Sequence, residues 1–272
     1  MERVSDVPAL LAAYDAQLRD QAEVTGAVSW DRSGPLWRAK FPDSGFVSYR
    51  DLGGLEGAAL DALIADTVAF FAADTAIGSF EWKSRSHDQP RDLGARLEAA
   101  GLVPDEVETV MVGEASLLLA SGTDLPDGVR LLRVDELPDR ESWLDRAADM
   151  QQGVFGSGGS GAELRDRIDR KPGLVEVWVA EADGEILSAG RLEEVPGTEF
   201  GGLWGGATIP AWRGRGIYRA LTSARAESAL ARGLRLLHSD CSAMSRPILE
   251  RAGLVAVTTT TPYVWTRDES VS

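Results

Sequence analysis

The residues best suited to chemistry in this 272-residue chain form a short basic segment, Pro210–Arg219, which reads PAWRGRGIYR. A strand pattern ends at Ile209, Pro210 removes a backbone donor, and an alanine-rich helix pattern follows. The N–H groups of such a turn and of the first helical turn converge on one point, where the helix dipole favours an anion. The segment predicts a phosphate-binding turn, although a plain surface turn with solvated arginines fits the same residues.

The glycines and arginines of this turn have distinct expected roles. Gly214 and Gly216 permit positive φ angles and leave room for a ligand to approach the backbone. Arg213, Arg215 and Arg219 place positive charge where a phosphate would lie.

Together with the elements around it, the turn resembles the pyrophosphate loop of the GNAT superfamily of acyl-CoA N-acyltransferases, which reads Gln/Arg-x-x-Gly-x-Gly/Ala. Residues 213–216 match its first four positions, and Tyr218 stands where the family has a small residue. The helix end at Ala252-Gly253-Leu254 resembles a second family motif. The resemblance covers about residues 129–268.

The resemblance implies a site for acetyl-CoA as co-substrate, with no metal. The loop would bind the pyrophosphate. The resemblance also implies a splayed sheet, in which the main chain of the strand before the loop would pair with the pantetheine arm. The cofactor-binding residues that follow are Ala207, Thr208, Ile209, Arg213, Gly214, Arg215, Gly216, Ile217, Tyr218 and Ser242. The implied reaction is direct attack of a primary amine, from a small molecule or a peptide, on the thioester.

The proton-transfer groups of the family are matched less well. Its frequent tyrosine acid corresponds to Leu249, and its frequent asparagine corresponds to Ser242. The strand GGLWGGATI has no ionisable group, so the usual glutamate base has no counterpart. Ser245 is the candidate catalytic residue, since it could hydrogen-bond the leaving sulfur, but a helix N-cap before Pro247 explains it equally well.

Four other side chains could take part. His238 could act as a base, although a histidine within an apolar strand more often packs in the core. Cys241 as nucleophile would require an acyl-enzyme, and a buried structural thiol is favoured. Asp240 is expected near the thioester. Tyr263 is a further acid candidate, on a terminal strand where aromatic side chains usually pack.

The order of predicted elements indicates two domains of the α/β (α+β) class, each a mixed, mostly antiparallel sheet flanked by helices. The first, residues 1–126, is expected to be a GNAT-like domain without a pyrophosphate loop, because LGGLEGAALDAL has glycines but no basic residues beside them. The second, residues 129–272, would hold the acetyl-CoA site, and residues 121–128 would link the two. An Ala-Gly-Leu-Val echo after a helix in each half indicates a repeat, although this arrangement is common.

Some segments make sharper predictions. Residues 26–50 predict two strands and a turn, and Asp183-Gly184 predicts a β-hairpin. Residues 255–266 predict a final pair of strands. The Gly/Ser-rich stretch 153–161 fits either a lid or a simple connector.

Composition restricts the function classes. A net charge of −15, most of it in the first half, disfavours nucleic acid as the main partner. The single cysteine fits a reducing compartment. No apolar run reaches the roughly 18 residues of a membrane span, and the first residues lack the pattern of a secretory signal. We expect a cytoplasmic bacterial protein, a monomer or homodimer, that acts without a membrane.

Three functions follow from these observations. The first is an N-acetyltransferase, for which the acidic surface favours a cationic acceptor. The second is a catalytically inactive CoA-binding sensor or scaffold, which the absent tyrosine and glutamate favour. The third is an interaction module whose turn binds nothing. Acetyl-CoA binding separates the third from the others, and thiol release separates the first two.

Overall fold

A computed structural model describes residues 6–119, 125–156 and 159–267. These ranges contain seven α-helices and twelve β-strands. The helices are α1 (Val7–Gln17), α2 (Gly57–Ala72), α3 (Leu93–Ala99), α4 (Arg140–Phe155), α5 (Gly161–Arg170), α6 (Ile217–Ala231) and α7 (Arg246–Ala252). The strands are β1 (Ser29–Ser33), β2 (Leu36–Lys40), β3 (Ser44–Ser48), β4 (Ser79–Arg85), β5 (Val103–Pro104), β6 (Glu108–Glu114), β7 (Arg130–Arg133), β8 (Val175–Ala182), β9 (Glu185–Glu194), β10 (Phe200–Thr208), β11 (Leu236–Cys241) and β12 (Val255–Thr266). None of these helices combines the length and the apolar character needed to cross a membrane.

The chain forms two compact units. The N-terminal unit comprises Met1–Val110, Asp240–Arg246 and Ala256–Ser272, and the C-terminal unit comprises Met111–Ser239 and Pro247–Val255. Two segments from the end of the chain therefore group with the N-terminal unit. The predicted domains 1–126 and 129–272 stay a prediction, and residues 121–124 of the predicted linker lie outside the described residues.

The N-terminal unit has the strand order β1-β2-β3-β4-β12. β3 and β4 are parallel, whereas the other neighbours are antiparallel. The apolar spacing of α2 places Leu60, Ile64 and Phe71 on one buried face. Phe71 stacks on Phe80 of β4 with 4.5 Å between ring centroids. This contact anchors α2 on the sheet and fixes the parallel pair beneath it.

Two strand predictions for this unit were wrong. Residues 26–50 form three strands rather than two, with Gly34 at φ +57° in the turn between β1 and β2. The sequence pattern did not predict β2, because a strand of alternating polarity is not expected to bury an arginine. Arg38 of β2 is buried, and it pairs with Asp31 at 2.6 Å and Asp66 at 2.7 Å. The expected final pair of strands is a single strand, because β12 keeps its register with β4 through Pro262.

The C-terminal unit has the strand order β6-β11-β10-β9-β8-β7. The predicted hairpin is confirmed: β8 and β9 are antiparallel, and Asp183 (φ +50°) and Gly184 (φ +84°) form the turn. Val177 and Val179 of β8 pack in a cluster with the helices α4 and α5. Ala180 lies on the opposite face, in the cluster that includes Ile217 of α6. The prediction of a mixed, mostly antiparallel sheet flanked by helices is thus confirmed.

The echo between the two halves has a structural basis. After α3, Gly101 (φ +91°) ends the helix and the Leu102 amide donates to the Leu97 carbonyl at 3.1 Å. After α7, Gly253 (φ +109°) has the same place, and the Leu254 amide donates to the Leu249 carbonyl at 3.1 Å. Each unit also contains two parallel strands joined by a long helix, β3-α2-β4 and β10-α6-β11. Both halves therefore share one local design.

The stretch 153–161 is partly helical. Its first residues end α4, residues 157 and 158 lie outside the described residues, and Ser160 is the N-cap of α5. The Ser160 hydroxyl accepts from the Glu163 amide at 3.3 Å, and the Glu163 carboxylate accepts from the Ser160 amide at 2.6 Å, which completes a capping box.

We expect Ser160→Ala to lower the free energy of unfolding by about 1 kcal/mol, because the cap hydroxyl is lost. Urea denaturation monitored by circular dichroism measures this change. Ser160→Asp, which keeps a cap acceptor, should retain most of the stability. An unchanged midpoint for Ser160→Ala would show that this cap contributes nothing.

Candidate functional site

The predicted phosphate loop connects β10 to α6. After β10, residues Pro210–Trp212 form a single 3-10 turn, in which the Trp212 amide donates to the Ile209 carbonyl at 3.0 Å. The Arg213 side chain folds back, and its Nε donates to the Thr208 carbonyl at 3.0 Å. Arg213 therefore ties the turn to the end of the strand.

The glycines adopt the backbone conformation for which they were singled out. Gly214 has φ +75° and Gly216 has φ +81°, a region that disfavours side chains. Gly216 is the N-cap of α6, and no side chain caps this helix end. The first helical bond runs from the Ala220 amide to the Gly216 carbonyl at 3.0 Å. The amides of the three preceding residues project from the helix end, as at any helix N-terminus.

The charge around this helix end is positive. The first turn of α6 has no acidic residue, and Arg213, Arg215 and Arg219 are exposed around it. The Arg215 guanidinium lies over the Trp212 ring, 4.7 Å from the centroid. Amides at an uncapped helix end surrounded by arginines form a site for an anion such as a phosphate group.

The strand that leads to the loop separates from its parallel neighbour. β10 pairs with β11 from Phe200 to Gly202, opposite Leu236 to His238, and then both strands continue. Farther along, Ala207 and Thr208 pair with β9 on the other side, opposite Ala189 and Ser188. The parallel pairing of β10 with β11 thus covers only the start of β10, which agrees with the splayed sheet that the resemblance implies.

A bulge interrupts β10 between the splay and the loop. The register with β9 shifts between Trp204 and Ala207, and Gly205 has φ +60°. The Gln151 side chain of α4 donates to the Gly205 carbonyl. This contact fixes the bulge, where two consecutive residues leave the ladder and their amides can face a ligand.

The remaining predicted residues of the loop lie at different depths. Ile217 is 1% exposed and packs in the core, so only its main chain can meet a ligand. Ile209 packs at the edge of the same cluster. The Tyr218 side chain turns back toward Gly206 of β10. A methyl group added to Gly206 would lie only 2.7 Å from the Tyr218 hydroxyl.

Ser242 and Ser245 belong to the N-terminal unit, in the segment Asp240–Arg246. The Ser245 and Arg246 amides both donate to the Ser242 carbonyl at 3.1 Å, which forms a turn that leads into α7. Ser245 immediately precedes α7, the position that its interpretation as an N-cap requires. The structure does not bring these serines into the same compact unit as the loop.

The other candidates are placed in packed surroundings. His238 is 7% exposed, and its ring meets Trp204 edge-on at 5.3 Å. Cys241 and Leu249 are buried. Tyr263 packs its hydroxyl against Gly94 of α3 in the N-terminal unit, where burial raises its pKa. These environments favour the packing interpretation of each residue.

A buried ionic cluster surrounds Asp240, and the sequence did not reveal it. Asp240, 3% exposed at its side chain, forms an ion pair with Lys83 of β4, and Glu23 pairs with Arg85. Burial alone would lower the pKa of Lys83, but Asp240 and Glu23 raise it above its usual value. The sequence feature that could have revealed this cluster is the alternation along β4, which places Glu81, Lys83 and Arg85 on one face of the strand. Residues of the first half thus fix the segment that carries Ser242 and Ser245.

The N-terminal unit has a cavity at its own strand-helix junction. The cavity has a volume of about 340 Å³, and its walls include Asp15, Asp51, Glu56 and Asp88. Arg19, Arg50 and His87 also line it, and the Arg19 guanidinium is engaged by Asp88 at 2.8 Å and Asp15 at 3.2 Å. Carboxylates at this position oppose a pyrophosphate, in contrast to the arginines around α6. The described residues contain no group of three or more potential ligands arranged for a metal ion.

Residues 140–253 match the model of the Acetyltransferase (GNAT) family. The matched segment includes the loop, the splayed strands and α7. No curated protein sequence matches the chain. The match covers 114 of the 272 residues and shows that this segment is similar to the family.

Solved structures extend the likeness of the fold to almost the whole chain. A GCN5-related N-acetyltransferase from Kribbella flavida superposes with a TM-score of 0.71 at 12% identity, covering 98% of each chain. A tandem GNAT protein from the clavulanic acid biosynthesis pathway gives 0.63 at 13% identity, covering 98% of this chain and 97% of its own. A GCN5-related N-acetyltransferase from Sphaerobacter thermophilus gives 0.63 at 16% identity, covering 85% and 76%. At these identities the likeness shows the fold.

Proposed function

We propose that this protein is an acetyl-CoA-dependent N-acetyltransferase that acetylates a primary amine of a small molecule or a peptide. The observation that carries the proposal is the uncapped, arginine-surrounded N-terminus of α6 after the splayed strand β10. The amides of residues 216–218 and the arginines would hold the pyrophosphate. The main chain of Ala207, Thr208 and Ile209 would hold the pantetheine arm.

The bulge in β10 supports the reaction that follows binding. Attack of the amine on the thioester gives a tetrahedral oxyanion, which needs preorganised donors. The amides of Gly205 and Gly206 leave the ladder with β9 and are the donors we assign to this role. Gln151, which holds the Gly205 carbonyl, keeps the bulge in place. Cys241 is buried, which favours direct transfer without an acyl-enzyme.

Charge supports a cationic acceptor. The chain has a net charge of −15, which favours a cationic amine over an anionic compound as the acceptor. The carboxylates of the N-terminal cavity likewise support the view that this unit holds no acyl-CoA. We further propose that the enzyme acts in the cytoplasm as a monomer or homodimer, without nucleic acid or membrane.

A second candidate is a CoA-binding sensor without catalysis. It is favoured by Leu249, which is 2% exposed at the position where the family often has a tyrosine acid. Such a protein would bind acetyl-CoA but would release no thiol with any amine.

Two assays separate these proposals. Acetyl-CoA at 100 times its Kd should stabilise the fold by roughly 2.7 kcal/mol, visible as a rise in Tm. Free thiol should then appear with one or more members of a panel of diamines, amino sugars and peptides with a free N-terminus. Glycerol, which offers hydroxyl groups and no amine, is the negative control. A Tm shift without thiol release would support the sensor, and no shift at saturating acetyl-CoA would contradict both.

A further inference from the structure

Tyr218 departs from the family pattern, and the structure shows what its side chain does. It lies on the first turn of α6, where the family has a small residue. Its ring turns toward β10 and packs its hydroxyl against Gly206, where any side chain would collide with it. The absence of a side chain at Gly206 therefore makes room for this hydroxyl beside the bulge.

A buried cation lies next to this hydroxyl. Arg225 of α6 is 1% exposed. Its guanidinium donates to the Leu221 carbonyl at 3.2 Å, the Arg191 carbonyl at 3.2 Å and the Thr222 hydroxyl at 3.1 Å. The Tyr218 hydroxyl also interacts electrostatically with the guanidinium. Among the described residues, these partners of Arg225 include no carboxylate.

The lack of a carboxylate partner makes Arg225 unusual. Burial lowers the pKa of Arg225, and the Tyr218 hydroxyl acts in the opposite direction. A buried charge with only neutral partners carries a large desolvation penalty, which a negative group beside it would offset. The Tyr218 oxygen is the group beside Arg225 that would become negative on giving its proton away. Since guanidinium only donates, the phenolic proton is left for another acceptor.

We propose that Tyr218 is the general acid of acetyl transfer, with Arg225 as the positioning residue that stabilises its phenolate. This inference rests on the proposed function. The amine nitrogen bonds to the thioester carbonyl carbon, and the tetrahedral intermediate then loses its C–S bond. Tyr218 donates its proton to the leaving sulfur, which gives the free thiol. The amine loses a proton to solvent, and solvent returns a proton to the phenolate, so the overall reaction is balanced.

This assignment explains the substitution at the usual acid position. Leu249 is 2% exposed and has no proton to give. Tyr218 instead places a phenol against the β10 bulge, whose Gly205 and Gly206 amides we assign to the oxyanion. Acid and oxyanion donors then meet at one point of the strand.

Tyr218→Phe tests the proposal. Single-turnover acetylation should slow at least about 100-fold, because a general acid contributes on that order or more. The Kd for acetyl-CoA should change less than about threefold, since the amide of residue 218 is retained. Tyr263→Phe, which removes the hydroxyl packed against Gly94, is the matched comparison and should keep its rate.

The outcomes distinguish this inference from the proposed function. If the wild type is active and Tyr218→Phe is equally fast, the proposed role of Tyr218 is overturned, while the proposed function stands. The role is also overturned if Tyr218→Phe loses as much affinity for acetyl-CoA as it loses rate. A wild type that releases no thiol with any amine would instead remove the proposed function. If Tyr218→Phe has a lowered Tm, Gly206→Ala is the second variant, since its methyl group displaces the hydroxyl. It should bind acetyl-CoA and lose rate; a full rate would overturn the proposal.

Discussion

Gly216→Asp is expected to weaken acetyl-CoA binding by at least about 100-fold, equal to roughly 2.7 kcal/mol. Gly216 caps α6 at φ +81° without a side-chain cap, so a carboxylate there would occupy the helix end. The carboxylate would accept hydrogen bonds from the amides that bind the pyrophosphate, and it would repel the negative charge of the pyrophosphate. Isothermal titration calorimetry with acetyl-CoA measures the loss.

Gly233→Asp is the matched control for this variant. Gly233 also has φ +81°, has open space where a side chain would begin, and follows the other end of α6. Both variants therefore carry the same backbone strain and the same new charge. Equal affinities for Gly216→Asp and Gly233→Asp would place the anion site elsewhere.

Lys83→Met is expected to lower the free energy of unfolding by about 3–5 kcal/mol, because it removes one partner of a buried ion pair. The side chains of Lys83 and Asp240 are 15% and 3% exposed. The double variant Lys83→Met/Asp240→Leu should recover much of this loss, because an apolar pair then replaces the ionic one. Urea denaturation of the wild type and the variants provides the values.

An exposed ion pair is the control for the buried one. Arg235 and Glu199 lie 2.9 Å apart with side chains 72% and 44% exposed. Arg235→Met should therefore change the stability by no more than about 1 kcal/mol. If Lys83→Met has an equally small effect, the ion pair with Asp240 does not hold the segment before α7.

Local patterns predicted the parts of the fold that depend on neighbours in sequence. Asp183-Gly184 specifies a hairpin because both residues tolerate positive φ angles, and the phosphate loop depends on glycines a few residues apart. Contacts between distant residues were beyond such patterns. Arg38 fits a buried position in a strand because Asp31, from β1, and Asp66, from the distant helix α2, both pair with it.

The same limit applies to the site. The loop is contiguous and was predicted as an anion site, whereas the candidate acid depends on Tyr218, Gly206 and Arg225, which meet only in the fold. Sequence reasoning assigned Tyr218 to the cofactor-binding residues. The role of the first half was likewise hidden, because the pairing of Lys83 with Asp240 joins residues far apart in the chain.

Binding of the pyrophosphate group at the loop before α6 is the central claim. The most direct test is calorimetric titration of the wild-type protein with acetyl-CoA and with S-acetylpantetheine, which keeps the thioester arm and lacks the pyrophosphate and the nucleotide. We predict one acetyl-CoA per chain and an affinity at least about 100-fold higher than that for S-acetylpantetheine, a difference of roughly 2.7 kcal/mol. Equal affinities for the two compounds, or no binding of acetyl-CoA, would contradict this claim.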